Sequence, residues 1–171
     1  MFGLRAKVDE SSLAAEVAYL FRVAYRLTGN EVDAEDLVQD VCERALTKAP
    51  EFAAAPDCRR WLLRVLYNRF VDGARHAQRS PVDASACHET DTDAADCSAD
   101  PETLAVENDA ESALIRAWAR LEPQQQMLLL LRAEGHDLDQ IGSITGLDKP
   151  ALSSRLHRAR VSLAKYLEET K

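Results

Sequence analysis

The stretch HDLDQIGSITGLDKPALSSRLHRAR, residues 136–160, decides the fold predicted for this chain. Two short runs of apolar residues at helical spacing are separated by Gly146, which can take the left-handed conformation that ends a helix. Asp137 and Asp148 stand where helix N-caps are expected, and Pro150 falls in a first turn, where its missing N–H costs nothing. The stretch therefore predicts a helix, a tight turn and a second helix.

The second of these helices has one apolar stripe and one basic polar face. The stripe consists of Leu152, Leu156, Ala159, Leu163 and Leu167. The opposite face consists of Lys149, Ser153, Ser154, Arg155, His157, Arg158 and Arg160. In a helix-turn-helix protein the second helix enters the major groove, where its first residues contact base edges and later cations contact phosphates. The alternative is an ordinary amphipathic helix pair whose basic face is only solvated.

The distribution of charge favours the DNA-binding interpretation. The net charge of −8 over 171 residues at first argues against a nucleic-acid partner. However, residues 80–112 hold ten acidic residues and no Lys or Arg, whereas residues 59–79 hold six Arg against Asp72 alone. Residues 149–165 hold five Lys or Arg and no acid. Basic patches of this size provide the salt-dependent part of DNA affinity, and the acidic segment would discourage indiscriminate binding.

The whole chain is predicted to be all-α, with two small helical domains joined by a flexible acidic linker. A first apolar stripe ends at the turn signal of residues 28–30, and further helices are expected over about 31–48 and 58–78, with a loop between Pro50 and Pro56. Residues 80–100 have almost no large apolar side chains and are expected to be mobile. A helix resumes after Pro101, and another runs from Pro123 to Gly135 before the helix-turn-helix. The predicted boundaries are 1–79, 80–108 and 109–171.

The third helix combines a core face with a cationic stripe. We expect it to bury Leu62, Val65, Leu66 and Phe70. Within about one quadrant of the helical wheel lie Arg60, Arg64, Asn68, Arg75 and Arg79. The neighbouring Trp61 and Tyr67 could stack on unpaired bases, as in single-strand binding sites, or complete the helical core, which is the interpretation favoured for Trp61.

Several classes of protein are disfavoured. No segment approaches a membrane span and the N-terminus lacks the apolar core of a secretory signal, so a cytoplasmic location is expected. We find no glycine-rich phosphate loop, paired-carboxylate pattern or nucleophile with a base, so neither an enzyme nor a cofactor is predicted. The four cysteines match no zinc spacing; a redox or metal role for Cys87, His88 and Cys97 and incidental thiols both stay open.

Taken together, these segments resemble a bacterial RNA polymerase sigma factor of the extracytoplasmic-function class. The stretch AYRLTGNEVDAEDLVQDVCERA, residues 24–45, is similar to the family's first two conserved helices. RRWLLRVLYNRFVDGAR, residues 59–75, is similar to its promoter-melting helix. LEPQQQMLLLLRAEGHDLDQIGSITGL, followed by SSRLHRAR, is similar to its promoter-reading domain.

The resemblance implies a set of partners and the residues that meet them. The acidic second helix would dock on core RNA polymerase through Asp33, Glu35, Asp36, Leu37, Gln39 and Asp40. The third helix would capture a base flipped from the opened minus-10 element through Arg60, Arg64, Asn68 and Arg75. The second domain would read the minus-35 duplex through Lys149, Ser153, Ser154, Arg155, His157 and Arg158. A cognate anti-sigma factor is also implied, as is a role in promoter-specific transcription initiation during a stress response.

Two other functions fit part of the sequence. A stand-alone helix-turn-helix regulator would bind operators as a dimer, and half-site spacing in a footprint would reveal it. A sigma-like decoy would bind anti-sigma proteins without touching DNA, and it should lack the cationic face of residues 60–79.

Overall fold

The computed structural model describes residues 10–79 and 101–170, which form eight α-helices and no strand within those ranges. The helices are α1 (Glu10–Thr28), α2 (Glu31–Thr47), α3 (Ala49–Ala53), α4 (Cys58–Arg79), α5 (Pro101–Ala119), α6 (Pro123–Ala133), α7 (Leu138–Thr145) and α8 (Lys149–Glu168). The all-α prediction is confirmed. The redox or metal role left open in the sequence analysis concerns residues outside the described ranges: Cys87, His88 and Cys97.

The first domain is built from α1 to α4, in which α1 packs on α2 and α2 packs on α4. The turn between α1 and α2 uses Gly29 at φ +67°, and the Asn30 side chain caps α2 by accepting from the backbone N–H of Val32 at 2.8 Å. The prediction of a loop between Pro50 and Pro56 is partly wrong, because α3 forms there. Pro50 suits the first turn of a helix, and α3 buries Phe52 to 2% exposure, which stabilises this short element by tertiary packing.

The second domain contains the predicted helix-turn-helix, α7 and α8. Asp137 and Gln140 form a reciprocal capping box, in which each side chain accepts a hydrogen bond from the other residue's backbone N–H. Gly146 ends α7 at φ +74°, and Asp148 caps α8 by accepting from Ala151 N–H at 2.9 Å. The cap positions expected from the sequence are thus confirmed.

Burial on α4 departs from the expected stripe. Leu62 and Leu66 are buried as predicted, but Val65 and Phe70 are only half-buried. A second face consisting of Leu63, Tyr67 and Val71 is buried instead. The physical reason is that α4 packs on α6 and α7 as well as on α1 and α2, so it has to bury two faces.

Other helices also carry exposed large apolar residues. Among them are Val17, Leu46, Leu114 and Ile115. Exposed aliphatic side chains that are scattered singly are common on protein surfaces.

The two domains are packed against each other. Helix α4 contacts α7 and α6, and α1 contacts α6. One continuous apolar core runs from Leu20 and Leu62 in the first domain to Met127, Ile141 and Leu152 in the second. None of the described helices is long and apolar enough to span a bilayer.

Candidate nucleic-acid and polymerase interfaces

An open pocket lies on the outer face of α4. Exposed Arg64 and Asn68, both predicted site residues, line it beside the half-buried Trp61. The Trp61 ring meets Phe52 of α3 edge to face, with 5.4 Å between ring centroids. Trp61 therefore packs against the core and also borders the pocket, which supports the core interpretation; base stacking on Trp61 stays a prediction.

Four further charged residues, which the sequence analysis did not select as site residues, line the same pocket. They are Arg44, Glu51, Arg69 and Asp72. Arg44 and Glu51 come from α2 and α3, so no pattern within α4 could indicate them. A hydrogen bond from Lys48 lowers the pKa of Glu51.

The remaining two predicted minus-10 residues lie elsewhere on α4. Arg60, in the first turn, pairs with Asp57 at 3.2 Å. Arg75 pairs with Asp72 at 3.5 Å and lines a small cleft against Glu122 and Gln124 of the second domain. Of the four residues, only Arg64 and Asn68 share the pocket.

Tyr67 is not available for base stacking in this arrangement. Its side chain is only 6% exposed and its hydroxyl accepts a hydrogen bond from Gln124 Nε2 at 2.7 Å. The stacking alternative for Tyr67 is therefore replaced by a role at the contact between the domains.

Helix α8 exposes most of its predicted DNA-contacting residues. Ser153, Ser154, His157 and Arg158 are all exposed. Lys149 is exposed too and pairs with Asp139 of α7 at 2.8 Å, and the hydrogen bond to Asp139 raises the pKa of the lysine.

Arg155 differs from its neighbours on α8. It is half-buried, and its Nη1 donates to Gln124 Oε1 at 2.6 Å. Arg155 and Arg158 together line a cleft with Glu122 and Leu128 of the second domain. The helix therefore holds the Arg155 guanidinium in a hydrogen bond to Gln124 and leaves Arg158 and Arg160 exposed.

Helix α2 forms an acidic ridge. Asp33, Glu35, Asp36, Gln39 and Asp40 are exposed, and Leu37 is half-buried. All of these except Glu35 line a groove whose floor includes Phe70 and whose far wall is Leu121, Pro123 and Gln126 of the second domain. The only ion pair from this ridge among the described residues is a loose one, Asp40 to Arg69 at 3.9 Å. Uncompensated carboxylates beside an apolar floor suit a cationic, partly apolar protein surface.

Comparisons with known proteins match both halves of the chain. The family model for sigma-70 region 2 matches residues 14–80, and the model for sigma-70 region 4 matches residues 111–163. The first match contains the α4 pocket and the α2 ridge, and the second contains the helix-turn-helix.

Individual relatives agree with these matches. The chain is 30% identical over 149 residues to the extracytoplasmic-function RNA polymerase sigma factor SigE of Mycolicibacterium smegmatis, covering 86% of this chain and 57% of SigE. It is 28% identical over 156 residues to the sigma factor EcfG of Rhodopseudomonas palustris, covering 91% and 82%. The chain spans about half the length, or less, of the first curated relatives it matches.

The fold has a solved counterpart. The sigma factor RpoE of Bartonella quintana, in its co-crystal structure with the anti-sigma factor NepR, matches with a TM-score of 0.62 and 25% identity, covering 93% of this chain and 96% of that one. With regions 2 and 4 matched in order on one chain, the protein belongs to the sigma-70 family of bacterial RNA polymerase sigma factors, in the extracytoplasmic-function class.

Proposed function

We propose that this protein is an alternative sigma factor, which binds core RNA polymerase and directs transcription initiation at specific promoters. The observation that supports it best is that regions 2 and 4 of the sigma-70 family coincide with two DNA-compatible surfaces, the α4 pocket and the exposed polar face of α8. The chain would act by binding alone and contribute no catalytic group. A partner of core polymerase would work in the cytoplasm.

The α4 pocket is the proposed site for the opened minus-10 element. Arg64 and Asn68 offer donors to a base edge or a phosphate, and the part of the Trp61 ring that lines the pocket offers a surface on which a base can stack. Extruding a base from a duplex costs a few kcal/mol, which stacking and charged contacts can offset. On the same helix, Arg60 precedes the pocket and Arg75 follows it. Both would contact the DNA-strand backbone on either side of the captured base.

The exposed face of α8 is the proposed reader of the minus-35 duplex. Short Ser153 and Ser154 near the N-terminus of the helix allow close approach to base edges, and the longer His157 and Arg158 follow one turn later. Lys149 lies at the start of the helix and would contact a DNA phosphate, which would replace Asp139 as the partner of its ammonium group. Arg155 would join this surface after release from Gln124.

The α2 ridge is the proposed contact with core polymerase. Its residues combine four carboxylates with one amide and one apolar side chain over about two helical turns: Asp33, Glu35, Asp36, Leu37, Gln39 and Asp40. A surface that polymerase needs is also one that an inhibitor can cover, and we propose a cognate anti-sigma factor as a further partner.

Competition for core polymerase tests this function. Purified chain is mixed with core bacterial RNA polymerase and the housekeeping sigma factor, and the complexes are resolved on a native gel. We expect displacement of the housekeeping factor by the wild-type chain and strongly weakened displacement by Asp36→Lys. Glu168→Lys, the same charge change at an exposed position on the last turn of α8, is the matched control and should compete like the wild type.

Failure to bind polymerase would contradict the proposal, provided that circular dichroism shows the folded helical chain. A footprint on DNA without polymerase, with two half-sites one helical turn apart, would point instead to the stand-alone regulator.

A further inference from the structure

The first cation of α8 is paired with a carboxylate of the preceding helix. Lys149 Nζ lies 2.8 Å from Asp139 Oδ1, and both side chains are mostly exposed. The next three cations along α8 are Arg155, Arg158 and Arg160, and none of them forms an ion pair with another of the described residues. The positive charge of Lys149 is therefore already matched before any DNA arrives, whereas the charges of the three arginines are not.

Three carboxylates lie at this end of the helix-turn-helix, and two of them cap helices. Asp137 caps α7 and Asp148 caps α8, each by accepting a hydrogen bond from a backbone N–H. Asp139 lies in the first turn of α7, and Lys149 is the only partner of its side chain within the described part of the chain. The pKa of Lys149 is raised mainly by the hydrogen bond to Asp139, and the charge of Asp137 adds to the effect. The pair can thus be broken without removing a helix cap.

The pair matters because Lys149 is at the end of α8 that would meet a duplex first. In a helix-turn-helix protein the N-terminal part of the second helix lies in the major groove, and Lys149 is the first residue of α8. A free ammonium that reaches a phosphate releases a counterion from DNA, and this release provides the salt-dependent part of the affinity. An ammonium that neutralises a carboxylate brings no net charge. After exchange to a phosphate, the abandoned carboxylate would lie close to that phosphate and repel it.

We infer that Asp139 restrains the affinity of the free chain for duplex DNA of any sequence, because it competes with phosphates for Lys149. The inference rests on the proposed role of α8 as a duplex reader, and it gives α7 a task that none of the proposed minus-35 residues has. A promoter reader competes with about 10⁶–10⁹ non-specific sites in a genome. A restraint on non-specific affinity keeps more of the free chain available for polymerase.

The alternative is that Asp139 only stabilises α7. A carboxylate in the first turn of a helix interacts favourably with the positive end of the helix dipole, and an exposed ion pair contributes little to stability. On this alternative, loss of the carboxylate leaves DNA binding unchanged or weakens it. The inferred restraint predicts the opposite sign, together with a change in the salt dependence of binding.

Two substitutions and their combination isolate the pair. Asp139→Asn removes the negative charge at nearly constant side-chain shape, and Lys149→Gln removes the ammonium. The double variant shows whether Asp139 acts through Lys149, since it has no ammonium left to release. Glu168→Gln, at an exposed position in the last turn of α8, is the matched control for the loss of one negative charge.

Fluorescence anisotropy of a short labelled duplex of random sequence, titrated with the full chain between about 50 and 200 mM salt, measures the effect. One additional phosphate contact steepens the slope of log affinity against log salt concentration by about 0.9. We expect tighter binding at the lowest salt for Asp139→Asn than for the wild type. The ratio of the two affinities should be about 3.5-fold larger at about 50 mM than at about 200 mM salt. In the Lys149→Gln background, Asp139→Asn should leave the slope unchanged.

A steeper slope for Asp139→Asn that disappears in the double variant and is absent from Glu168→Gln supports the inference. Three results would overturn it. Equally large gains with and without the ammonium would show that Asp139 acts only by its own repulsion of phosphates, and an equal gain in Glu168→Gln would show a general effect of net charge. Unchanged, weaker or undetectable duplex binding by Asp139→Asn would show that Asp139 restrains nothing.

The proposed function is decided separately from this inference. Competition for core polymerase depends on the α2 ridge, and neither Asp139 nor Lys149 lies on that ridge. A chain that displaces the housekeeping factor while Asp139→Asn binds duplex no more tightly keeps the sigma function and loses the restraint. A steeper slope without displacement would keep the restraint and remove the sigma function.

Discussion

The Cys42 thiol on α2 is half-buried against the core, and burial raises its pKa. A raised pKa leaves less thiolate near neutral pH, so Cys42 should react with iodoacetamide more slowly in the folded protein than in the denatured chain. The rate should increase only as the pH rises beyond the usual range for a cysteine thiol. Peptide mapping after timed alkylation separates Cys42 from the other cysteines, and equal rates in the folded and denatured chains at neutral pH would contradict the burial.

Gly146 has a backbone conformation that its replacement would strain. At φ +74° it ends α7 and sets the turn into α8, so Gly146→Ala should lower the free energy of unfolding by about 1–2 kcal/mol. Gly73→Ala is the matched control. Gly73 lies inside α4 with nothing within 4 Å of an added Cβ, and alanine should stabilise the helix there by about 0.5–1 kcal/mol. Urea unfolding of both variants measures the two effects, which should have opposite signs.

At the scale of the element, mutation can distinguish the proposed base-edge contacts of α8 from its proposed phosphate contacts. If exposed Arg158 contacts a base edge, Arg158→Ala should weaken binding of the holoenzyme to its promoter by about 1–3 kcal/mol and relax the preference at that position. A uniform loss over all sequences, with a shallower dependence on salt, would make it a phosphate contact instead. Lys165→Ala, on the same helix but more than four turns beyond the N-cap Asp148, is the control and should leave the sequence preference unchanged.

Helix α4 illustrates what the sequence could predict and what it could not. Its length, its start after Pro56 and the burial of Leu62 and Leu66 follow from local patterns. The burial of Tyr67 and Val71 does not, because it depends on α6 and α7, which are distant in the chain. A helical wheel assigns one core face, whereas this helix packs on both sides. The sequence predicted only part of the candidate pocket for the same reason. Arg64 and Asn68 lie in one sector of the helical wheel of α4, but Arg44 and Glu51 belong to other helices.

At the scale of the whole molecule, the shared core predicts how the chain unfolds. The apolar cluster runs without a break from α1, α2 and α4 into α6, α7 and α8. We therefore expect one cooperative thermal transition for the wild type, with equal calorimetric and van't Hoff enthalpies. Gln124→Ala, which weakens the contact between the domains, should broaden this transition or divide it in two. Two separate transitions in the wild type would show that the domains are independent.

The placement of the two tryptophans has a spectroscopic consequence. Trp61 lies at the α4 pocket, where its ring touches Phe52 and lines the open space, whereas Trp118 belongs to the second domain, with its indole N–H buried. A nucleobase that stacks on Trp61 would quench its emission, and Trp118 would report only on its own surroundings. The unlabelled protein therefore contains an optical signal for strand capture, and Trp118→Phe would isolate it.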